Sequence, residues 1–142
     1  MFLPNIKQPV FILGMHRSGT TMVTRALGAA GVHVGTILDH NSEALYGIDI
    51  NDRILETAGG NWWSPPGLES VLDAASSFQP ELTDLNIYGT HLKHPSGRRL
   101  SLAVAHSGPW AVKDPRLCFT LPWWLARFPK AKVIWVLRDE EE

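Results

Sequence analysis

The sequence predicts an α/β fold with three layers, in which helices cover both faces of a parallel sheet. Short, unbroken apolar runs occur near both ends of the chain, and such runs are typical of strands that are buried on both faces. Segments with helical periodicity alternate with these runs, which predicts parallel strands joined by right-handed crossovers. In folds of this kind, ligands bind at the carboxyl ends of the strands.

By these criteria the first half of the chain contains one strand and two helices. Residues 9–13 form the first apolar run. A turn-rich break separates it from residues 20–30, where apolar side chains recur every three or four positions before Gly31. A second helix is predicted over residues 48–58, because apolar residues share one side there and two glycines follow.

The second half is irregular at first and then returns to alternation. Residues 61–109 are rich in Gly, Pro and Ser, and within them only residues 68–75 predict a short helix. The remaining predicted elements are a short strand at residues 110–113, a helix at residues 121–128 that Pro122 opens, and a buried strand at residues 131–137.

The composition fits one globular domain over residues 1–142. Of these residues 44% are hydrophobic and 19% are charged, so the chain is richer in core material than disordered chains. Thirteen Lys and Arg against 14 Asp and Glu give a net charge of −1, which argues against a general binder of nucleic acid or membrane surfaces. The sequence also predicts neither a signal peptide nor a membrane span.

Two further features concern compartment and completeness. The single Cys118 excludes an internal disulfide and a multi-cysteine metal site, which favours a reducing, cytoplasmic location. Asp139 suits a helix N-cap and the three glutamates after it suit a first helical turn. We therefore expect the domain to be incomplete, ending shortly after the strand that leads to Arg138.

A glycine-rich segment joins the first strand to the first helix, a place where backbone N–H groups and the helix dipole hold phosphates. Its letters, Gly14-Met-His-Arg-Ser-Gly-Thr-Thr21, keep the glycines and the final hydroxyl of the pattern G-x-x-x-x-G-K-[ST]. Thr20 replaces the lysine that clamps β- and γ-phosphates, and the cation stands at Arg17 instead. This change favours a nucleotide with a different anionic end over ATP or GTP. The alternative is a turn without a ligand.

Together with this segment, Lys113-Asp-Pro-Arg116 and Leu137-Arg-Asp139 resemble motifs of the sulfotransferase family that uses 3′-phosphoadenosine 5′-phosphosulfate, particularly its bacterial branch. The stretch Gly59-Gly-Asn-Trp-Trp63 is also similar to that branch, whereas residues 64–109 match no part of it. The resemblance implies a P-loop-type fold. It also implies transfer of a sulfuryl group from this donor to a hydroxyl or amine.

The resemblance further implies which residues bind the donor. The loop would hold the 5′-phosphosulfate, and Arg138 would hold the 3′-phosphate with its forked guanidinium. The family completes the 3′-phosphate site with a serine eight residues after this arginine, whereas four residues follow Arg138 here. Some relatives stack adenine on an aromatic residue where this chain has Met22. The implied donor-binding residues are His16, Arg17, Ser18, Gly19, Thr20, Thr21 and Arg138.

Sulfuryl transfer needs an in-line acceptor oxygen, stabilisation of spreading negative charge, and help for the leaving phosphate. Arg17 and Lys113 are the predicted cations, although an ordinary ion pair is the alternative for Lys113. No metal is required by this chemistry. Many relatives supply a histidine base where this chain has Pro115, and relatives without it use a glutamate after the first helix, which implies Glu43. The neighbouring candidates are Asp39, His40 and Asp49.

Several questions stay open at the level of sequence. The acceptor is expected to be a small molecule or a glycan, and the oligomeric state is undetermined. A small-molecule kinase or nucleotide hydrolase of the same fold is one alternative, and a non-catalytic nucleotide-binding module is another. The pairs Trp62-Trp63 and Trp123-Trp124 are predicted to be core and helix-packing residues rather than a platform for a sugar or a base. The basic residues of segment 91–99 could meet an anionic acceptor.

Overall fold

The computed structural model describes residues 8–35, 38–43, 45–78, 91–93, 99–101 and 108–139. Its elements, in chain order, are β1 (Val10–Leu13), α1 (Thr20–Ala29), α2 (Leu45–Thr57), α3 (Leu68–Ser77), β2 (His91–Lys93), β3 (Arg99–Ser101), β4 (Ala111–Lys113), α4 (Leu117–Arg127) and β5 (Lys132–Trp135).

The main sheet is parallel, with β1 as its central strand between β4 and β5. The ladder continues past β5, since the N–H of Val136 donates to the Leu13 carbonyl at 2.8 Å. On the other edge, His33 forms an isolated parallel bridge with Trp110, the residue before β4. A separate antiparallel pair joins β2 to β3. The predicted α/β fold with a parallel sheet is therefore confirmed.

Both faces of the central strand are covered. Phe11 and Ile12 are neighbours in β1, so their side chains point to opposite faces of the sheet, and both are fully buried. This double burial explains why β1 is an uninterrupted apolar run. Other large side chains of the core are Trp110, Trp123, Trp124, Ile50, Ile54 and Leu117.

The helices α1, α2 and α3 occur where the periodicity predicts them, with shifted ends. α2 begins at Leu45 rather than at residue 48, and α3 extends to Ser77 rather than to residue 75. Strands β2 and β3 lie within the segment that was predicted to be irregular. The prediction for the rest of residues 79–107 falls outside the described residues. None of the helices in the described ranges has the length and hydrophobicity to cross a membrane.

α4 differs from its prediction at its N-terminus. It begins at Leu117, so Pro122 lies inside the helix and not at its opening. Proline has no N–H, and it therefore removes the hydrogen bond that would otherwise go to the Cys118 carbonyl. Trp123 and Trp124 follow it directly and are buried in the core. Packing of these two indole rings outweighs the local penalty of the proline.

The prediction for β5 is wrong in two respects. The strand is shorter than the predicted residues 131–137, and it is far more exposed than a buried strand. Val133, Trp135 and Leu137 are 44%, 68% and 70% exposed. Their alternation places them on one face of the strand. An apolar run predicts a strand, but it does not reveal whether another element covers each face. Within the described residues this face of β5 is open to solvent.

Candidate active site

The phosphate loop, which we define as residues 14–21, connects β1 to α1 through two residues with left-handed backbone conformation. Arg17 has a φ of 63° and Gly19 has a φ of 99°. The left-handed region is uncommon for a residue with a side chain, and such strained backbone concentrates at functional sites. Alternating right-handed and left-handed residues curve the chain so that successive N–H groups can converge on an anion.

The start of α1 adds donors to this loop. The first N–H groups of a helix have no intrahelical acceptor, and they carry the positive end of the helix dipole. Here the N–H of Val23 is bonded to the Gly19 carbonyl at 3.2 Å, which marks the first helical turn. Ser18 closes the loop by donating to the Met15 carbonyl through its N–H at 3.2 Å and its hydroxyl at 2.7 Å. The arrangement is suited to binding an anion.

Two arginines meet at the phosphate loop. Arg17 is exposed within it, and Arg138 follows β5 at the carboxyl end of the sheet. The Nη1 of Arg138 donates to the Arg17 carbonyl at 3.2 Å. The structure therefore brings Arg138 against the loop, although 121 positions separate the two arginines in the chain.

The acidic loop, residues 39–43, contacts α1 and is organised by Asp39. The Oδ1 of Asp39 accepts from the N–H groups of Asn41 at 2.9 Å and Glu43 at 2.8 Å, and the Asp39 N–H donates to the Glu43 carbonyl at 2.9 Å. Ser42 has a left-handed φ of 62°, and its hydroxyl accepts from Arg25 Nε of α1 at 3.4 Å. These bonds fix the backbone that carries Glu43.

Glu43 forms a buried ion pair with Lys113, the last residue of β4. The Nζ of Lys113 lies 2.9 Å from Glu43 Oε1, and each side chain is only 5% exposed. Burial raises the pKa of the Glu43 carboxyl above its ordinary value of 4.5, and the hydrogen bond and charge of Lys113 offset only part of that rise. A raised pKa makes the ionised carboxylate a stronger base than an exposed glutamate.

The carbonyl oxygen of Asn41 connects this ion pair to the phosphate loop. It accepts from Lys113 Nζ at 3.0 Å and from the Thr21 hydroxyl at 3.1 Å. Thr20, the neighbour of Thr21, is buried at the start of α1. The helix that begins at the phosphate loop and the strand that ends in Lys113 therefore share one acceptor.

A buried polar network holds the turn that follows Lys113. Asp114 accepts from Asn51 Nδ2 of α2 at 2.9 Å and, through Oδ1, from the Arg116 N–H at 3.0 Å. Asn51 Oδ1 in turn accepts from the Thr120 hydroxyl and from Trp124 Nε1, each at 2.7 Å. Asp114, Asn51 and Thr120 are at most 1% exposed. Buried polar groups require partners of this kind, so the network fixes the end of β4.

Arg116, in the same turn, contacts two carboxylates and the ring of Trp62. Its guanidinium donates to Asp52 at 2.7 Å and to Asp114 at 3.0 Å. Burial alone would lower the pKa of Arg116, but the charges of Asp114 and Asp52 outweigh burial and raise it. The Cζ of Arg116 also lies 5.8 Å from the ring centre of Trp62. Trp62 also packs against His16 of the phosphate loop, with ring centres 4.9 Å apart.

Among the residues that the structure describes, no group of three or more His, Cys, Asp or Glu side chains is placed to hold a metal ion.

Comparison with known proteins identifies the family. A family model described as the sulfotransferase family matches residues 9–142. The chain belongs to the sulfotransferase family. Comparison with curated proteins and with solved structures found no significant match.

In this sulfotransferase the residues predicted to be catalytic lie in two places. Lys113 and Glu43 are in direct contact, and Arg17 is exposed on the phosphate loop. Among the neighbouring candidates for a base, Asp39 is engaged in the hydrogen bonds of the acidic loop, and His40 is exposed. Asp49 is half-buried in α2, and Glu43 is the carboxylate that the structure shows in contact with the predicted cation.

The residues predicted to bind the donor also differ in their placement. His16, Ser18 and Gly19 lie in the phosphate loop, and Arg138 contacts its backbone. Thr21 is different, because its hydroxyl is directed to the acidic loop. The Thr21 hydroxyl is therefore engaged within the protein, and Thr20 is buried at the start of α1.

Two features of the candidate site were not predicted from the sequence. The Asn51 network was not predicted, although a polar residue on the same helical stripe as Ile54 and Leu55 was a usable signal. The prediction that Trp62-Trp63 is a core pair is wrong, since Trp63 is 82% exposed. The corresponding prediction for Trp123 and Trp124 is confirmed by their burial.

Proposed function

We propose that this sulfotransferase moves a sulfuryl group from 3′-phosphoadenosine 5′-phosphosulfate to a hydroxyl or amine acceptor. The observation that carries the proposal is the buried pair of Lys113 and Glu43 beside the phosphate loop, 2.9 Å apart. One cation and one carboxylate in contact are the two side-chain types that the transfer step uses. Family membership supports sulfuryl transfer in general.

The negative charges of the donor match the N–H groups of the phosphate loop and the two cations beside it, Arg17 and Arg138. The phosphate loop and the N-terminus of α1 provide amides for the 5′-phosphosulfate, with Arg17 as the adjacent cation. Arg138, held against the same loop, is assigned to the 3′-phosphate. A guanidinium suits a phosphate because its parallel N–H groups can bind two oxygens.

In the transfer step the acceptor oxygen attacks the donor sulfur. A new oxygen–sulfur bond forms, while the bond between sulfur and the bridging oxygen of the 5′-phosphate breaks. The electron pair of the broken bond stays on 3′-phosphoadenosine 5′-phosphate, and Glu43 takes the proton of the acceptor. Lys113 and Arg17 balance the charge that develops on the leaving phosphate and on the sulfuryl oxygens.

The loop distinguishes this proposal from a kinase or nucleotide hydrolase. Thr20 stands where those enzymes have the lysine that binds β- and γ-phosphates. The family match does not favour these alternatives either. A sulfuryl donor presents no γ-phosphate to be bridged by Mg²⁺, so we expect transfer to be independent of added metal. The single Cys118 agrees with a reducing, cytoplasmic location, which we include in the proposal.

The test is transfer of radiolabelled sulfate from the donor to a panel of hydroxyl and amine acceptors, with EDTA present. Wild-type protein should transfer label, and it should bind 3′-phosphoadenosine 5′-phosphate in calorimetry. Turnover that EDTA abolishes, or ATP hydrolysis faster than sulfate transfer, would support the kinase or hydrolase alternative. Binding of 3′-phosphoadenosine 5′-phosphate without transfer of sulfate to any acceptor would support a non-catalytic binding module.

A further inference from the structure

Four hydrogen bonds join Asp39 to the residues that follow it in the acidic loop. Its Oδ1 accepts from the N–H groups of Asn41 at 2.9 Å and Glu43 at 2.8 Å. Its main-chain N–H donates to the Glu43 carbonyl at 2.9 Å, and its carbonyl accepts from the Ser42 N–H at 3.1 Å. A short polar side chain that bonds the main chain just after it is typical of a tight turn. The Asp39 carboxylate therefore holds the main chain of the acidic loop in one conformation.

The conformation that Asp39 holds is a strained one. Ser42 has a φ of 62°, in the left-handed region that a residue with a side chain rarely adopts. Strain of this kind persists only where the surrounding structure fixes the backbone. The two N–H groups that bond Asp39 Oδ1 belong to Asn41 and Glu43, one on each side of Ser42. These bonds are placed to keep Ser42 in its strained conformation.

The same two residues supply acceptors to the ammonium of Lys113. The Nζ of Lys113 donates to the Asn41 carbonyl at 3.0 Å and to Glu43 Oε1 at 2.9 Å. An ammonium has three N–H donors, so two of the three are directed by residues whose main chain is bonded to Asp39. A change in the acidic loop would therefore displace both acceptors together, and the lysine with them.

Asp39 also acts on Glu43 through its charge. Burial raises the pKa of the Glu43 carboxyl, Lys113 lowers that pKa through its hydrogen bond and charge, and the carboxylates of Asp114 and Asp39 raise it further. Lys113 and Asp114 face Glu43 from the end of β4 and the turn after it, and Arg25 of α1 reaches the same loop. The negative charge of Asp39 therefore makes the Glu43 carboxylate a stronger base.

We propose that Asp39 is a positioning residue for sulfuryl transfer, which places Glu43 and the Asn41 carbonyl around the ammonium of Lys113 through a single carboxylate oxygen. This inference rests on the proposed function and adds a residue to the machinery of the same site. Asp39 acts on the reacting groups through the main chain of the acidic loop. Its charge and the position of its oxygen make separate contributions, and substitutions can change one without the other.

Three substitutions separate these contributions. Asp39→Asn keeps Oδ1 and removes the charge, Asp39→Glu keeps the charge and moves the oxygen by one methylene, and Asp39→Ala removes both. Rates of sulfate transfer are measured at saturating donor and acceptor, at a temperature where circular dichroism shows each variant to be folded. Asp39→Ala and Asp39→Glu should lower kcat roughly tenfold to a hundredfold, because a small misplacement of catalytic groups has an effect of this size. Asp39→Asn should retain most of kcat.

A second measurement does not depend on turnover. The pKa of the Glu43 carboxyl is followed by NMR titration of the labelled side chain. Asp39→Asn should lower this pKa, because it removes a neighbouring negative charge that disfavours the ionised form. The rise of kcat/KM with pH should move to lower pH in the same variant. Asp73→Asn is the matched control, since Asp73 is an exposed aspartate on α3, and it should leave kcat and the pKa of Glu43 unchanged.

Three results would each overturn the positioning role while leaving sulfuryl transfer intact. They are a wild-type kcat in folded Asp39→Ala or Asp39→Glu, a kcat in Asp39→Asn as low as in Asp39→Ala, and an unchanged pKa of Glu43 in Asp39→Asn. If Asp39→Ala does not fold, the other two variants decide the question. Absence of both sulfate transfer and 3′-phosphoadenosine 5′-phosphate binding in the wild type would instead refute the proposed function, and the titration of Glu43 would still decide whether Asp39 acts on it.

Discussion

Lys113 and Thr21 donate hydrogen bonds to the same atom, the carbonyl oxygen of Asn41, at 3.0 and 3.1 Å. Thr21 is the last residue of the phosphate loop and belongs to the first turn of α1, and Lys113 ends β4. If α1 shifts when an anion binds the phosphate loop, the shift would therefore move the shared Asn41 carbonyl and with it the ion pair of Lys113 and Glu43. The acidic loop is the connecting piece, because Asp39 fixes its backbone.

The first prediction concerns the anion site. Arg17→Ala should weaken binding of 3′-phosphoadenosine 5′-phosphate roughly tenfold to a hundredfold, since a hydrogen bond to a charged group contributes roughly 1.5–3 kcal/mol. Titration calorimetry measures the change. Lys130→Ala is the matched control, because Lys130 is an exposed cation whose N–H contacts Gln8, at the opposite end of the strands. Equal affinities for wild type and Arg17→Ala would remove Arg17 from the site.

The second prediction concerns the cation of the ion pair. Lys113→Ala should lower kcat about a hundredfold, because it removes charge stabilisation worth on the order of 3 kcal/mol in the transition state. Initial rates of sulfate transfer at saturating donor and acceptor measure it. Lys132→Ala removes an exposed lysine at the start of β5 and should leave kcat unchanged. A normal kcat in folded Lys113→Ala would mean that the ion pair is only structural.

The third prediction is a pH dependence that belongs to Glu43. The carboxylate form is the base, so kcat/KM should rise with pH through the Glu43 pKa. Because burial raises that pKa above 4.5, the acidic limb should lie at higher pH than for an exposed glutamate. Glu43→Gln should lower the rate about a hundredfold or more and abolish the limb. The same limb should persist in Glu56→Gln, an exposed change on α2; its survival in Glu43→Gln would assign it to another group.

The fourth prediction concerns the buried network. Asn51→Ala should reduce the free energy of unfolding by on the order of 3 kcal/mol, because Asp114, Thr120 and Trp124 each lose a buried partner. Urea unfolding followed by circular dichroism measures the loss. Glu56→Ala on the same helix should change stability by less than about 0.5 kcal/mol. A similarly small effect of Asn51→Ala would show that the network does not hold the end of β4.

The fold was predictable wherever periodicity alone decides the structure. The apolar run at β1 and the spacing in α1 gave element type and order, since both features depend on local sequence. The exposure of Trp135 on β5 was not predictable, because it depends on which element covers a strand. The start of α4 was missed because Pro122 is a helix-opening signal, and the burial of the adjacent indole rings overrides it.

The site was predictable in its parts and not in its connections. The glycine spacing located the phosphate loop, and the resemblance pointed to Lys113 and Glu43. Their contact spans 70 positions of the chain, and no local pattern encodes a pairing over that distance. The role of Asn41 was invisible for a different reason. It acts through its main-chain carbonyl, which is the same in every residue type.

Gly14 has a consequence for the choice of nucleotide. A Cβ at this position would lie 2.5 Å from Ser18 Oγ and 3.0 Å from the Val136 carbonyl oxygen, so the phosphate loop touches the segment leading to Arg138 with no side chain between them. This main-chain contact then sets the distance between the two anion sites, which are the phosphate loop and Arg138. Gly14→Ala should increase that distance and reduce the preference for 3′-phosphoadenosine 5′-phosphate over adenosine 5′-phosphate in calorimetry, whereas an unchanged preference would place the discrimination in side chains alone.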